Sequence, residues 1–113
     1  MTTIKTKELS GDALDWVVAK IEAPQNLAST ADNFHPAADW SQGGPIIEQE
    51  VICLESEMGV HWWARFKDAP ESEVEGPTPL IAAMRCYVAS KLGNEVEIPN
   101  ELVEKQANRR LKP

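Results

Sequence analysis

No stretch of this chain approaches the roughly 18 consecutive apolar residues that cross a bilayer. The N-terminus MTTIKTKELSG also lacks the apolar core of a secretory leader. Both absences predict a protein of the cytoplasm. Cysteine is scarce: Cys53 and Cys86 stand in apolar contexts without CxxC spacing, which predicts two reduced core residues. The two histidines, His35 and His61, are at no zinc spacing with them, so no metal is expected. Positive charge is also short. Eleven Lys and Arg against eighteen Asp and Glu give a net charge of -7, and the averaged field repels long nucleic acid and anionic membranes. No Ser-His-Asp order and no phosphate loop of the Gly-Lys-Ser/Thr type occurs, so neither catalysis nor a cofactor is expected.

What is present fits one globular domain of 113 residues, with 42% hydrophobic and 26% charged positions. Four tryptophans are many for that length. All eighteen acids fall within residues 1–104, whereas KQANRRLKP, residues 105–113, holds four basic residues and no acid. A single domain over 1–104 with a basic C-terminal tail over 105–113 follows. The tail serves either as a solvated helix end or as a docking arm for an acidic partner.

Periodicity divides the domain. In LSGDALDWVVAKIEA, Ser10 is a candidate N-cap, and Leu14, Val17, Val18 and Ile21 make one stripe of a helix over about 11–22 that ends before Pro24. Residues 25–40 read as irregular. PIIEQEVICLE and VHWWARFK are rich in β-branched and aromatic residues around the turn SEMG, predicting an antiparallel hairpin over about 46–54 and 60–67. Alternation assigns Val60, Trp62, Ala64 and Phe66 to the core and His61, Trp63, Arg65 and Lys67 to the outside. DAPESEVEG reads as a solvated loop. GPTPLIAAMRCYVASKLGNE predicts a helix over about 79–92, capped by Thr78, opened by Pro79 and closed by Gly93, with Leu80, Met84, Val88 and Leu92 as its stripe. EVEIP predicts a short edge strand, and Asn100 caps a short C-terminal helical extension. The fold class is α+β, a small antiparallel sheet packed by helices.

The blocks ELSGDALDWVVAKIE, DWSQGGPIIEQE and GPTPLIAAMRCYVASKLGNEVEIPNEL, in this order, resemble the NinX-like family of small bacteriophage proteins from Leu9 to Leu102. The resemblance implies a phage origin, expression in a host bacterial cytoplasm and an accessory role, and it brings no activity with it. The segment 25–38 is shorter than the family pattern, which would place an additional strand there.

Three kinds of site compete. Glu48 and Glu50, two apart on the expected strand, could share a face with His61 as an acid and base pair, although alternating glutamates are more simply edge protection. A small-ligand site would draw on Trp40, Gly43 and Gly44 at the GGP corner, on Gly76 and Thr78 at a helix start, and on Arg65 and Arg85 as anion partners. Trp40 reads more simply as a core residue and Arg85 as half of a structural ion pair. An interface would use the outward His61, Trp63, Arg65 and Lys67. Together these favour a non-enzymatic phage accessory protein that binds and blocks a host protein or defence component. The alternatives are an oligomeric sponge for a small nucleotide-derived signal and, third, an enzyme.

Overall fold

A computed structural model describes residues 1–22 and 34–111, with side chains as far as Gln106. In chain order the elements are β1 (Thr2–Lys5), a 3-10 turn (Thr6–Glu8), α1 (Gly11–Glu22), α2 (Trp40–Glu50), β2 (Ile52–Glu57), β3 (His61–Phe66), β4 (Ala69–Gly76), α3 (Pro79–Leu92), β5 (Glu95–Ile98) and α4 (Asn100–Leu111). The strands form two antiparallel sheets, β2-β3-β4 and β1-β5, so the expected α+β class holds. An additional strand within 25–38 falls largely outside the described residues; of that stretch, Pro36 to Ala38 form a turn. Among the described residues no helix is long and apolar enough to cross a membrane.

Helix α3 begins and ends as its sequence predicts. Thr78 Oγ1 accepts from the Ile81 N–H at 3.1 Å, Pro79 fills the first turn, and the Gly93 N–H closes on the Ala89 carbonyl at a φ of +89°. Its burial is wider than one stripe, because Ala82, Ala83 and Cys86 are buried along with Leu80, Met84, Tyr87 and Val88. Apolar residues around most of a helix mean cover on more than one side. The β2-β3-β4 sheet packs against α3 through β3 and β4, while α1 contributes Ala13, Leu14, Val17 and Val18 to the same core. Leu92, expected in the stripe, instead lies exposed at the helix end.

The first expected strand is displaced. Residues 46–50 belong to α2, and β2 starts only at Ile52. Gly43, Ile46, Ile47 and Glu50 recur at i, i+3, i+4 and i+7; Gly43 and Ile46 are buried, and Ile47 packs on the core. Asp39 starts the helix: its carboxylate accepts from the Ser41 N–H at 2.9 Å and its carbonyl from the Gly43 N–H at 2.9 Å. Pro45 would disfavour a helical residue before it, but Gly44 has no Cβ to meet the ring. The helix stops at Val51, a β-branched residue at φ +55°, and this left-handed reversal aims the chain into β2. Val60, expected on the core face, lies in the turn after Gly59 and is 64% exposed.

Two further segments depart from expectation. The segment expected as an acidic loop is strand β4, because Val74 between its glutamates packs on the core opposite Ala64. Ser72 supports the irregular register there, accepting from the Phe66 N–H at 2.9 Å and donating to the Ala69 carbonyl at 2.5 Å. Strand β5 forms as expected, but its partner is β1, whose polar sequence carries no strand signal; Thr2 pairs with Ile98 and Lys5 with Glu95. Helix α4 runs through residue 104 into the basic segment. Gln106 is buried there, accepting from the Ser10 N–H at 3.1 Å and donating to the Glu8 carbonyl at 2.9 Å, and the Lys105 ammonium meets the Asp12 carboxylate.

Gly76 sets the distance between β4 and α3. A Cβ on it would lie 2.6 Å from the Ala82 nitrogen and 2.8 Å from its Cα, so backbone would have to move. Gly76→Ala should lower stability by about 1–3 kcal/mol, the usual cost of overpacking. For a domain of this size that is a drop of at least about 4 °C in Tm by calorimetry.

Candidate functional site

The outer face of the β2-β3-β4 sheet is built by alternation along its central strand. Ala64 is fully buried, and Trp62 and Phe66 pack on the core, so His61, Trp63 and Arg65 point the other way. Trp63 stands outside the hydrophobic core and is half-buried. Register supplies its neighbours: Glu55 of β2 and Glu75 of β4 pair with it from either side, and Glu57 pairs with His61. The His61 and Trp63 rings lie 6.4 Å apart, inclined at 47°. Arg65 is tied down locally: Nη1 donates to the Lys67 carbonyl at 3.2 Å, and Nη2 lies 3.9 Å from Glu55 Oε1. Lys67 is exposed just beyond the end of β3.

Cys53, expected in the core, pairs with Arg65 and sits half-buried on this same face. Cys86 is buried as expected. Burial pushes its thiol up to about 11, so it stays protonated and unreactive.

The small-ligand candidates are gathered only in part. Gly43 lies against α3 two residues past Thr78, where an added Cβ would come 2.7 Å from Leu80 Cδ2 and 2.3 Å from the Pro36 carbonyl oxygen. This is a tight helix crossing, and Gly43 has already spent its amide on Asp39. Gly44 lies within α2, Gly76 is wedged under Ala82, and the Thr78 hydroxyl caps α3. Trp40, expected on the core, opens α2 with 54% of its surface exposed. Arg65 is on the sheet face turned away from α3. Arg85 donates to the Leu9 carbonyl at 2.7 Å and the Glu75 carbonyl at 2.9 Å, so it holds backbone and closes the edge of β4. Glu48 and Glu50 ride on α2, where residues two apart do not share a face, and Glu50 meets Lys91 at 3.5 Å.

Two other features escaped sequence reasoning. Asp12, Asp15 and His35 bring ligand-type atoms within 4.8 Å of one another. Asp15 is buried, its Oδ1 accepting from the Ala37 N–H at 2.9 Å and its Oδ2 lying 3.2 Å from His35 Nδ1, so it pins the turn after His35 onto α1. The available signal was an acid beside Leu14 on the apolar side of α1, which demands a partner when buried. The second feature is a cavity of about 410 Å³ where the end of β1 meets the end of α3, lined by Lys5, Thr6, Lys7, Val74, Ala89, Asn94 and Glu95. Thr6 shapes its wall by donating to the Gly93 carbonyl at 2.7 Å.

A family model described as Bacteriophage P22, NinX matches residues 5–91. The chain belongs to this phage NinX family. The matched span runs from the end of β1 nearly to the end of α3, so it includes the whole outer face with Trp63, while β5 and α4 lie beyond it. None of the individually curated proteins compared with the chain matches it.

Two outcomes follow. Burial raises the Asp15 carboxyl above the ordinary carboxylate value of 3.8, against the lowering by the Ala37 N–H and His35. Between 3.8 and the raised value the folded state binds more protons than the unfolded one, so this residue's contribution to stability falls as pH rises through that window. Asp15→Asn should remove that slope from the difference between the two proteins in denaturant titrations at successive pH values. In alkylation at mildly alkaline pH, iodoacetamide should label Cys53 in the folded protein and reach Cys86 only on unfolding.

Proposed function

We propose that the protein is a non-enzymatic phage accessory protein that binds a host protein, such as a defence component, and blocks it in the host bacterial cytoplasm. The outer face of the β2-β3-β4 sheet is the binding surface. Its support is one observation: Trp63, on the central strand, is turned away from the hydrophobic core that takes its neighbours Trp62 and Ala64. Tryptophan and arginine are the residues on which interface energy concentrates, and a central strand holds them on rigid backbone. Arg65, held by its Nη1 on the Lys67 carbonyl, loses little freedom when a partner arrives. Captures from host lysate test this. Trp63→Ala should weaken a captured partner by at least about 2 kcal/mol, roughly thirtyfold in Kd. Retention of every partner by both Trp63→Ala and Arg65→Ala would remove this face from consideration.

A second role, sequestering a small nucleotide-derived signal, is favoured by the cavity beside Lys5 and Lys7, whose volume falls within the roughly 300–1,000 Å³ usual for small-ligand sites. A panel of cyclic and linear nucleotides in thermal-shift assays tests it. A ligand at 100 times its Kd adds about 2.7 kcal/mol to stability, and no rise in Tm across the panel would end the idea.

A further inference from the structure

Register decides what surrounds Trp63. Glu55 and Glu75 are its cross-strand partners, so both carboxylates share its face with Cβ atoms roughly 5 Å away. Glu57 beside His61 extends the same face, Glu73 comes two residues before Glu75 where the β3–β4 register shifts, and all four glutamates are exposed. Among the described residues, Arg65 is the cation on these strands, at 3.9 Å from Glu55, with Lys67 exposed just past the end of β3. Like charges placed side by side on a sheet cost stability. Acids on β2 and β4, the edge strands, guard against pairing with other chains. Edge protection leaves unexplained why an indole occupies the middle of the acidic field.

We propose that this face receives arginine and lysine side chains of a basic protein surface, of the kind that holds nucleic-acid phosphates, with a guanidinium stacked on Trp63 between Glu55 and Glu75. The proposal rests on the binding face described above and adds the chemistry of its partner. An indole face attracts a cation, and a carboxylate on either side offers a guanidinium paired acceptors. Glu55, Glu57 and Glu75 against Arg65, with Lys67 just past the strand end, leave the face net negative, and the chain's overall -7 steers a basic partner towards it. Arg65 Nη1 is held on the Lys67 carbonyl, and its Nη2, 3.9 Å from Glu55 Oε1, is too far for a strong hydrogen bond, so that carboxylate stays open to an incoming cation.

The test titrates the full chain with an oligoarginine peptide at several salt concentrations. Glu55→Gln/Glu73→Gln/Glu75→Gln is compared with a control of equal charge on β5 and α4, Glu97→Gln/Glu101→Gln/Glu104→Gln. The face variant should weaken binding at least about tenfold and flatten its salt dependence, while the control weakens it only about twofold. Trp63→Leu should weaken binding without changing the salt slope. The face variant should melt no lower than the parent, since it relieves repulsion, which confirms that it is folded. Equal loss in the two triple variants, or no binding by the parent chain, overturns the proposal. If the face variant still captures the lysate partner that Trp63→Ala loses, the basic-partner proposal fails while the binding face stands. If neither Trp63→Ala nor Arg65→Ala loses any partner, both fall.

Discussion

The burial of α3 on more than one side is the constraint on which the rest of the structure depends. Ala82, Ala83, Met84, Cys86, Tyr87 and Val88 leave little of the helix for water, so the sheet and α1 must both come close. Close approach needs small residues, which is why Gly76 faces Ala82 and Gly43 faces Leu80. The polar groups on such a helix must find partners in the elements around it. Arg85 donates to carbonyls of Leu9 and Glu75, and the Tyr87 hydroxyl donates to the Glu22 carboxylate, with burial first and that carboxylate second holding the phenol above its usual range. These bonds bring the chain before α1, the end of α1 and β4 to one helix. With α3 on the inner side of the sheet, the outer side is left to present His61, Trp63 and Arg65.

Where local pattern and tertiary packing agree, the sequence already shows the structure. α1 and α3 carry helical stripes, α3 also its end signals, and the alternation in HWWARF places Trp62 inside and Trp63 outside as found. The segments that were missed are those where one residue type speaks against the packing. Pro45 and the β-branched pair Ile46 and Ile47 suggest a strand, yet the spacing from Gly43 to Glu50 is helical, and Gly44 removes the clash that normally precedes a proline. In β4 the glutamates suggest solvent, and only Val74 and the closing Gly76 reveal a strand with one buried face. β1 has no signal because its stability comes from pairing with β5 at the other end of the domain.

The candidate site shows the same division. The outward direction of Trp63 follows from period two alone, and that much was visible. The carboxylates on either side depend on which strands flank β3 and in what register, and one of those strands read as a loop. The ligand constellation gathers only in part for a related reason: Gly43 and Thr78 were judged by residue type, while the Gly43 amide and the Thr78 hydroxyl are committed to starting α2 and α3. A chain can show which way a side chain points before it shows what stands beside it.

The placement of charge follows from this division of labour. Lys105, though part of the basic segment, is docked on Asp12, and neighbouring Gln106 is buried against the start of α1, so the first turn of positive charge serves the fold. Lys91 meets Glu50, and Arg85 is spent on backbone. Among the described residues, Arg65 is the one counter-charge that the strands place on the sheet's outer face. An antiparallel sheet tolerates one wet face, and solvation alone would be met by any polar residues there. A half-buried tryptophan amid glutamates costs more than that in repulsion and in unburied aromatic surface. Selection for solubility therefore accounts for the acids and leaves Trp63 unexplained, whereas binding a cationic partner gives both a use.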